Sequence, residues 1–222
     1  MNVVSSMDAA MRDTILVGGG GHAHVVADVL TALGRPMRGF VAPTGKTALT
    51  GVDWLGGDAV LDDVAPGSAD LAIGVGSTGD VSIRRTLFEM FRAQRHGLPS
   101  LVHPSAHLAA DVQVGDAAQV MLGAAVQTGV VIGANTIINT GAIVDHDCRI
   151  GDHAHVAPGA VLCGDVTVGE AAHVGAGARV LQGIQIGAGA LVAAGAVVIA
   201  DVADGARVAG VPARDMSGED AT

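Results

Sequence analysis

From Val102 to Val198 every sixth residue is Val, Ile or Leu, and the register never slips. The series runs through Val120, Ile132, Val144, Ile150, Val156, Leu162 and Ile186. Four residues after each stop sits a small or β-branched residue, as at Ala118, Ala124, Thr136, Ala142, Cys148, Ala154 and Val202. A fixed short period marks one structural unit stacked on itself. Helix faces recur every 3.6 residues and strand faces every 2, so neither produces a clean six. A coil of short straight segments with a turn in every hexad does produce it. Glycine fills many fourth positions (Gly123, Gly129, Gly141, Gly159, Gly177, Gly183, Gly189, Gly195). Sharp turns that need a positive φ favour it there.

This pattern closely resembles the left-handed parallel β-helix of the hexapeptide-repeat acyltransferases, in which three hexads make one triangular coil. The resemblance implies that first-position aliphatics point into a prism and fifth-position residues fill its corners. Each segment should then pair with the coils above and below, giving a continuous, quasi-one-dimensional core. Composition agrees with a thin prism, since half the chain is hydrophobic yet only 2% is aromatic.

At 222 residues the chain has room for a second domain. Its formal net charge is −10 and Lys46 is its one lysine, which argues against a nucleic-acid surface. No apolar run reaches membrane-spanning length, so no membrane partner is expected. Residues 1–13 lack an apolar signal core and read as a disordered leader. Cys148 falls at an inward fifth position and reads as a small core residue. With Cys163 it fits a cytoplasmic protein with reduced thiols.

Before the repeat, an apolar strand Thr14–Val17 runs into Gly18-Gly19-Gly20-Gly21-His22. A helical pattern follows through Val25, Val26, Val29, Leu30 and Leu33, stopped by Gly34. Strands are expected at 37–41 and 70–75. The second of these enters the turn Gly76-Ser77-Thr78-Gly79, and Asp80 then caps a helix whose apolar face includes Ile83, Leu87, Met90 and Phe91. Strands alternating with helices predict a small parallel, Rossmann-like α/β domain.

Three phosphate-loop readings compete. Gly18-x-Gly20-x-x-Ala23 fits the dinucleotide fingerprint, but the acidic residue wanted after the second strand is replaced by Ala42-Pro43. Gly45-Lys46-Thr47 ends like a P-loop, yet its leading glycine is misplaced, with Gly39 six positions before Gly45, and no helical pattern follows. The remaining reading has backbone N–H groups at the helix N-terminus holding an anionic ligand.

Taken together, the strand, the Gly20-Gly21-His22 turn, Gly76, the His146-Asp147 pair, His155 and the tail Gly210-Val-Pro-Ala-Arg214 resemble the sugar O-/N-acyltransferase family. That family includes bacterial nucleotide-sugar N-acetyltransferases of the bacillosamine and GDP-perosamine pathways and the sialic-acid O-acetyltransferases. The resemblance covers residues 14–216. It implies a nucleotide-sugar-binding domain over 14–100, an acyltransferase β-helix over 101–216 and a short tail at 217–222. It further implies a homotrimer using acetyl-CoA as cosubstrate, without a metal, in surface polysaccharide biosynthesis.

His146 stands at the third hexad position, outside the inward registers, and imidazole titrates where a general base must. By resemblance His146 is that base and Asp147 the carboxylate that orients it, with Asp145 in reserve. His155 matches a position that contacts acetyl-CoA, and Gly164 one whose amide meets the acetyl oxygen. Gly20, Gly21, His22 and Gly76 match positions that hold the nucleotide sugar. His24, His96, His103, His107 and His173 read as structural or solvated.

The expected reaction is acetylation of the amino group of a nucleotide-linked 4-amino sugar by direct attack, since no acyl-enzyme nucleophile stands out. Ala42-Pro43 stand where UDP-using relatives carry acidic residues, so GDP-perosamine is the favoured acceptor. A sugar hydroxyl is the alternative acceptor. A β-helix zinc carbonic anhydrase is a rival, but it needs three converging histidines, and the pairs His103/His107 and His153/His155 do not supply that spacing. A non-catalytic sugar-nucleotide scaffold is the other rival.

Overall fold

The computed structural model describes residues 12–45 and 49–216. Residues 1–11 of the expected leader, Lys46-Thr47 of the rejected P-loop and the tail at 217–222 lie outside the described residues. Arg12 and Asp13 are both engaged: Arg12 pairs with Asp70 at 3.4 Å, and the Asp13 carbonyl accepts the Asp70 N–H at 2.9 Å. The chain divides after Pro104 into two compact units.

The first unit is a four-stranded parallel sheet of β1 (Thr14–Val17), β2 (Met37–Val41), β3 (Trp54–Gly56) and β4 (Asp70–Ile73). Their order across the sheet is β3-β2-β1-β4. β1 is buried along its whole length, which is why Thr14-Ile-Leu-Val17 reads as a continuous run rather than an alternation. Helix α1 (Gly21–Ala32) packs Ala23, Val26, Val29 and Leu30 inward. It is stopped by Gly34 at φ +64°. Gly74, just past β4, lets α1 come close, because a Cβ there would stand 2.9 Å from both Ala23 Cβ and Leu16 Cδ1. The short edge strand β3 was not foreseen; three residues are too few to show a period.

Helix α2 (Ser82–Ala93) corrects one expectation. Asp80 does serve its start, accepting the Ser82 N–H at 2.8 Å, and that bond holds its carboxyl below the ordinary range. The buried face, however, is Arg84, Phe88 and Phe91, while Ile83 is 65% exposed and Met90 38%. Phe91 is buried as expected, whereas hydrophobicity alone misplaces Ile83 and Met90 and passes over Arg84. The helix is turned so that the 1%-exposed Arg84 donates through Nη1 to the carbonyls of Ile73 (3.1 Å) and Val75 (2.8 Å).

The second unit is the prism. Each hexad contributes a two-residue rung, and each rung pairs in parallel with the rung one coil on: Val131 with Arg149, Ile137 with His155, Ile143 with Val161. The rungs line up in three parallel sheets. First-position residues from Val120 to Val198 are at most 3% exposed, and fifth-position residues from Val112 to Val202 at most 6%. Every fourth-position residue from Ala117 to Gly195 has a positive φ, including Asn135, Asp147, His153 and Asp165 at 55–61°. The left-handed turn therefore belongs to the coil itself, and glycine only eases it. Arg207–Gly210 extends the sheet beside Leu191, then folds back antiparallel on Ala213–Asp215. That hairpin is the Gly210-Val-Pro-Ala-Arg214 tail, and it covers an edge that would otherwise be open.

Candidate functional site

His146 and Asp147 lie on the turn between the rungs Ile143–Val144 and Arg149–Ile150. Asp147 takes the left-handed conformation (φ +61°), and its Oδ2 comes within 2.9 Å of His146 Nδ1. Asp145 does other work: its Oδ1 accepts the backbone N–H of His146 at 2.8 Å. The bond from Asp147 raises the His146 pKa above its ordinary value, and the charges of Asp145 and Asp165 add to the shift. With Nδ1–H donated to Asp147, Nε2 is left as the proton acceptor.

Gly164 stands one coil below His146. It carries no left-handed φ that would call for glycine, yet a side chain there would run into His146 Cε1 and Nε2. Its glycine therefore keeps the reactive edge of the ring uncovered. Similarly, a side chain on Gly129, one coil above, would strike the Asp147 carboxylate. The pair is thus framed by two glycines that leave it room.

Cys148 follows the pair directly in sequence, but it is buried in the core. It donates to the Cys163 carbonyl at 3.2 Å, and burial pushes its pKa up to about 11. Such a thiol is not a nucleophile at neutral pH.

His155 sits on a different sheet from the rungs that flank His146, so a single chain does not bring the two together. Its rung position faces outward, but it is only 6% exposed. Its Nε2 lies 3.0 Å from Asn139 Nδ2, and its ring meets that of His173 edge-on, with centroids 4.9 Å apart. His153 likewise meets Asn135, at 3.0 Å through Nδ1. Among the described residues, no three of His, Cys, Asp or Glu converge as metal ligands. Nor is any described helix long and apolar enough to cross a membrane.

In the first unit the carboxyl ends of the parallel strands gather the remaining candidates. β1 runs into Gly18, whose φ of +123° favours glycine and where an added Cβ would stand 3.0 Å from the Gly74 carbonyl. Gly20 and Gly21 differ, since a Cβ on either would meet nothing within 4 Å. The chain's own packing does not require glycine at these two exposed positions, and their bareness leaves the N-terminus of α1 open. Gly76 comes against His22, because a Cβ there would lie 3.1 Å from His22 Cβ. Gly20, Gly21, His22 and Gly76 are therefore assembled at one edge of the sheet, the place where parallel α/β sheets bind ligands.

Sequence reasoning missed two residues at that edge. Arg84 was masked by the apolar residues around it. Trp54 begins β3 and sends its indole N–H to the Ala42 carbonyl at 3.1 Å; its one signal was its rarity, as the only tryptophan in the chain.

Comparisons with known proteins match both units. The PglD N-terminal domain family fits residues 13–91, and the bacterial transferase hexapeptide (six repeats) family fits 129–164. No match is found among curated proteins. Among solved structures, the acetyltransferase domain of PglB from Neisseria gonorrhoeae FA1090 is similar at 35% identity. The match covers 92% of this chain and 100% of that one, with a TM-score of 0.87. That domain has also been solved with acetyl coenzyme A. PerB from Caulobacter crescentus, solved with CoA and GDP-perosamine, is 38% identical over 94% of this chain and 99% of that one, with a TM-score of 0.86. WeeI from Acinetobacter baumannii AYE, at 23% identity, shares the fold, with a TM-score of 0.82. Full-length likeness at these identities, over a Rossmann-like unit and a left-handed hexapeptide prism, places the chain in the sugar O-/N-acyltransferase family of hexapeptide-repeat proteins, as an acyltransferase.

Proposed function

We propose that the chain transfers the acetyl group of acetyl-CoA to the amino group of a nucleotide-linked 4-amino sugar, with His146 as general base. The observation that carries this reading is the His146–Asp147 pair at 2.9 Å, with glycine at 164 leaving the Nε2 edge bare. The acceptor nitrogen attacks the thioester carbonyl while its proton passes to Nε2, and the amide of Gly164 faces the developing oxyanion. The tetrahedral adduct collapses with loss of the C–S bond. CoA leaves as thiolate and takes up the proton held on the imidazolium. The buried Cys148 leaves direct attack as the simpler course.

Residues 14–100 hold the nucleotide sugar at Gly20, Gly21, His22 and Gly76, with the diphosphate on the open N-terminus of α1. His155 contacts acetyl-CoA from a neighbouring copy. A homotrimer is supported by the separation of His146 and His155 on one chain and by the apolar outer face beside His146. There Ile143, Leu181 and Ile199 are 44%, 38% and 49% exposed. GDP-perosamine is the favoured acceptor: Ala42-Pro43 follow β2, and the similar PerB was solved with that compound.

Acceptor profiling tests the proposal. With acetyl-CoA, release of CoA thiol should depend on a nucleotide-linked 4-amino sugar, with the GDP-linked compound ahead of the UDP- and dTDP-linked ones. Equal turnover of the 4-hydroxy analogues would move the reaction to O-acetylation, and silence with every nucleotide sugar would overturn it.

A further inference from the structure

The chain's one tryptophan stands at the edge where the nucleotide site is placed, and half of it is exposed. Trp54 is not mobile decoration on a loop. Its backbone begins β3, in register with Phe40 of β2, and its indole N–H is held by the Ala42 carbonyl at 3.1 Å. Gly45 lies against one face of the ring, where a Cβ would come within 2.9 Å of Cδ2 and 3.0 Å of Cε3. The indole is therefore fixed in direction and backed on one side, and its exposed half lies away from that backing. A preset, half-exposed indole offers a large, rigid apolar face for a flat ligand to cover.

Its placement suggests what covers it. Gly18 N–H donates to the Val41 carbonyl, so the glycine turn that opens α1 adjoins the end of β2. Ala42, which anchors the indole, is the next residue. β3 is the strand beyond β2, so Trp54 stands two strand spacings from β1, about 10 Å across the sheet. That is the kind of separation that a ribose and its phosphate bridge between a diphosphate on α1 and a base. Ala42-Pro43, directly after β2, offer no acidic side chain there to read a base by hydrogen bonding. A flat, preset aromatic face recognises a base by stacking instead, and purines offer it the larger ring.

We propose that the Trp54 indole is the stacking platform for the nucleobase of the sugar-nucleotide substrate and favours a purine base. The proposal rests on the nucleotide-sugar reading above. Because the tryptophan is unique, its fluorescence reports the contact directly. GDP, UDP and dTDP are titrated into the full-length protein, excited at the red edge of indole absorption, with calorimetry in parallel. GDP should change the emission saturably, with the same Kd by both methods. Trp54→Ala should weaken GDP binding by roughly ten- to a hundredfold, with a smaller loss for UDP and an unchanged KM for acetyl-CoA. Trp54→Phe, which keeps a ring and the edge strand, should retain most of the GDP affinity. Calorimetric binding of GDP that leaves the emission unmoved would overturn the platform, as would equal GDP affinity in a folded Trp54→Ala. If Trp54→Ala does not fold, Trp54→Phe and Trp54→Leu decide the matter, because equal GDP affinity in those two overturns it. A wild-type protein to which no nucleoside diphosphate binds by calorimetry fails at an earlier point, and removes the nucleotide-sugar reading and the platform together.

Discussion

An imidazole that must accept a proton works only while it is neutral, and every carboxylate around His146 makes neutrality harder to reach. Asp147 contributes most to its raised pKa through the 2.9 Å bond, and Asp145 and Asp165 add their charges. The acid limb of kcat/KM is therefore expected above the ordinary imidazole range, with activity rising as pH rises and the proton leaves. Asp147→Asn removes the largest contribution, so the limb should move to lower pH while the maximum falls. Asp145 and Asp165 remain, so the return is partial. His146→Ala should keep its fold and CoA binding and lose about two to four powers of ten in kcat. Near-wild-type turnover across the pH range would remove His146 as the base. At this scale the sequence revealed the pair by its neighbours in the motif. It could not reveal that Gly164 is bare for the sake of the ring, since that contact spans a whole coil. Gly164→Ala tests it: the added methyl must push the ring aside, and kcat should fall at least tenfold with melting behaviour little changed.

Elements differ in how much of themselves a sequence displays. The strand at 14–17 and the helix after it are visible because their buried faces are apolar and their ends are glycines. Helix α2 is misread for a physical reason. Its inward face includes a guanidinium that earns its burial by holding the Ile73 and Val75 carbonyls, and no hydrophobic count can find such a residue. Burial lowers the Arg84 pKa to about 9, and it still carries its charge at neutral pH. The N-terminus of α1 offers the cleaner experiment. Nothing lies within 4 Å of a Cβ built on Gly21, so Gly21→Val should cost little stability. It should raise the KM of the sugar nucleotide at least tenfold by blocking the approach of a diphosphate, leaving the KM of acetyl-CoA in place. An unaltered acceptor KM would put the acceptor elsewhere on the protein.

Across the whole molecule, the prism was the most legible part because one rule is repeated in every hexad. A single helix or strand can hide an exception, whereas a stacked coil that broke the register would expose its neighbours' edges. What the repeat could not display is which outward residues are covered. His155 sits in an outward register and is nonetheless buried, because the period fixes direction and says nothing of what packs on top. The same repetition makes the prism vulnerable at any one rung. Ile150 is 3% exposed and lies between Ile132 and Val168 in the ladder. Ile150→Asp would place a carboxylate among apolar side chains with no partner, a loss on the order of several kcal/mol. Its neighbour Arg149 points outward, so Arg149→Ala should change stability by no more than about 0.5 kcal/mol. Since repeat units depend on their nearest neighbours and the chain forms two compact units, the damage should concentrate in the second. In thermal unfolding, Ile150→Asp should lower the transition of the β-helix and abolish acetyl transfer, while nucleoside diphosphate binding by the first unit persists. A fully active Ile150→Asp protein with unshifted unfolding would contradict the inward register from which the rest of the prism is built.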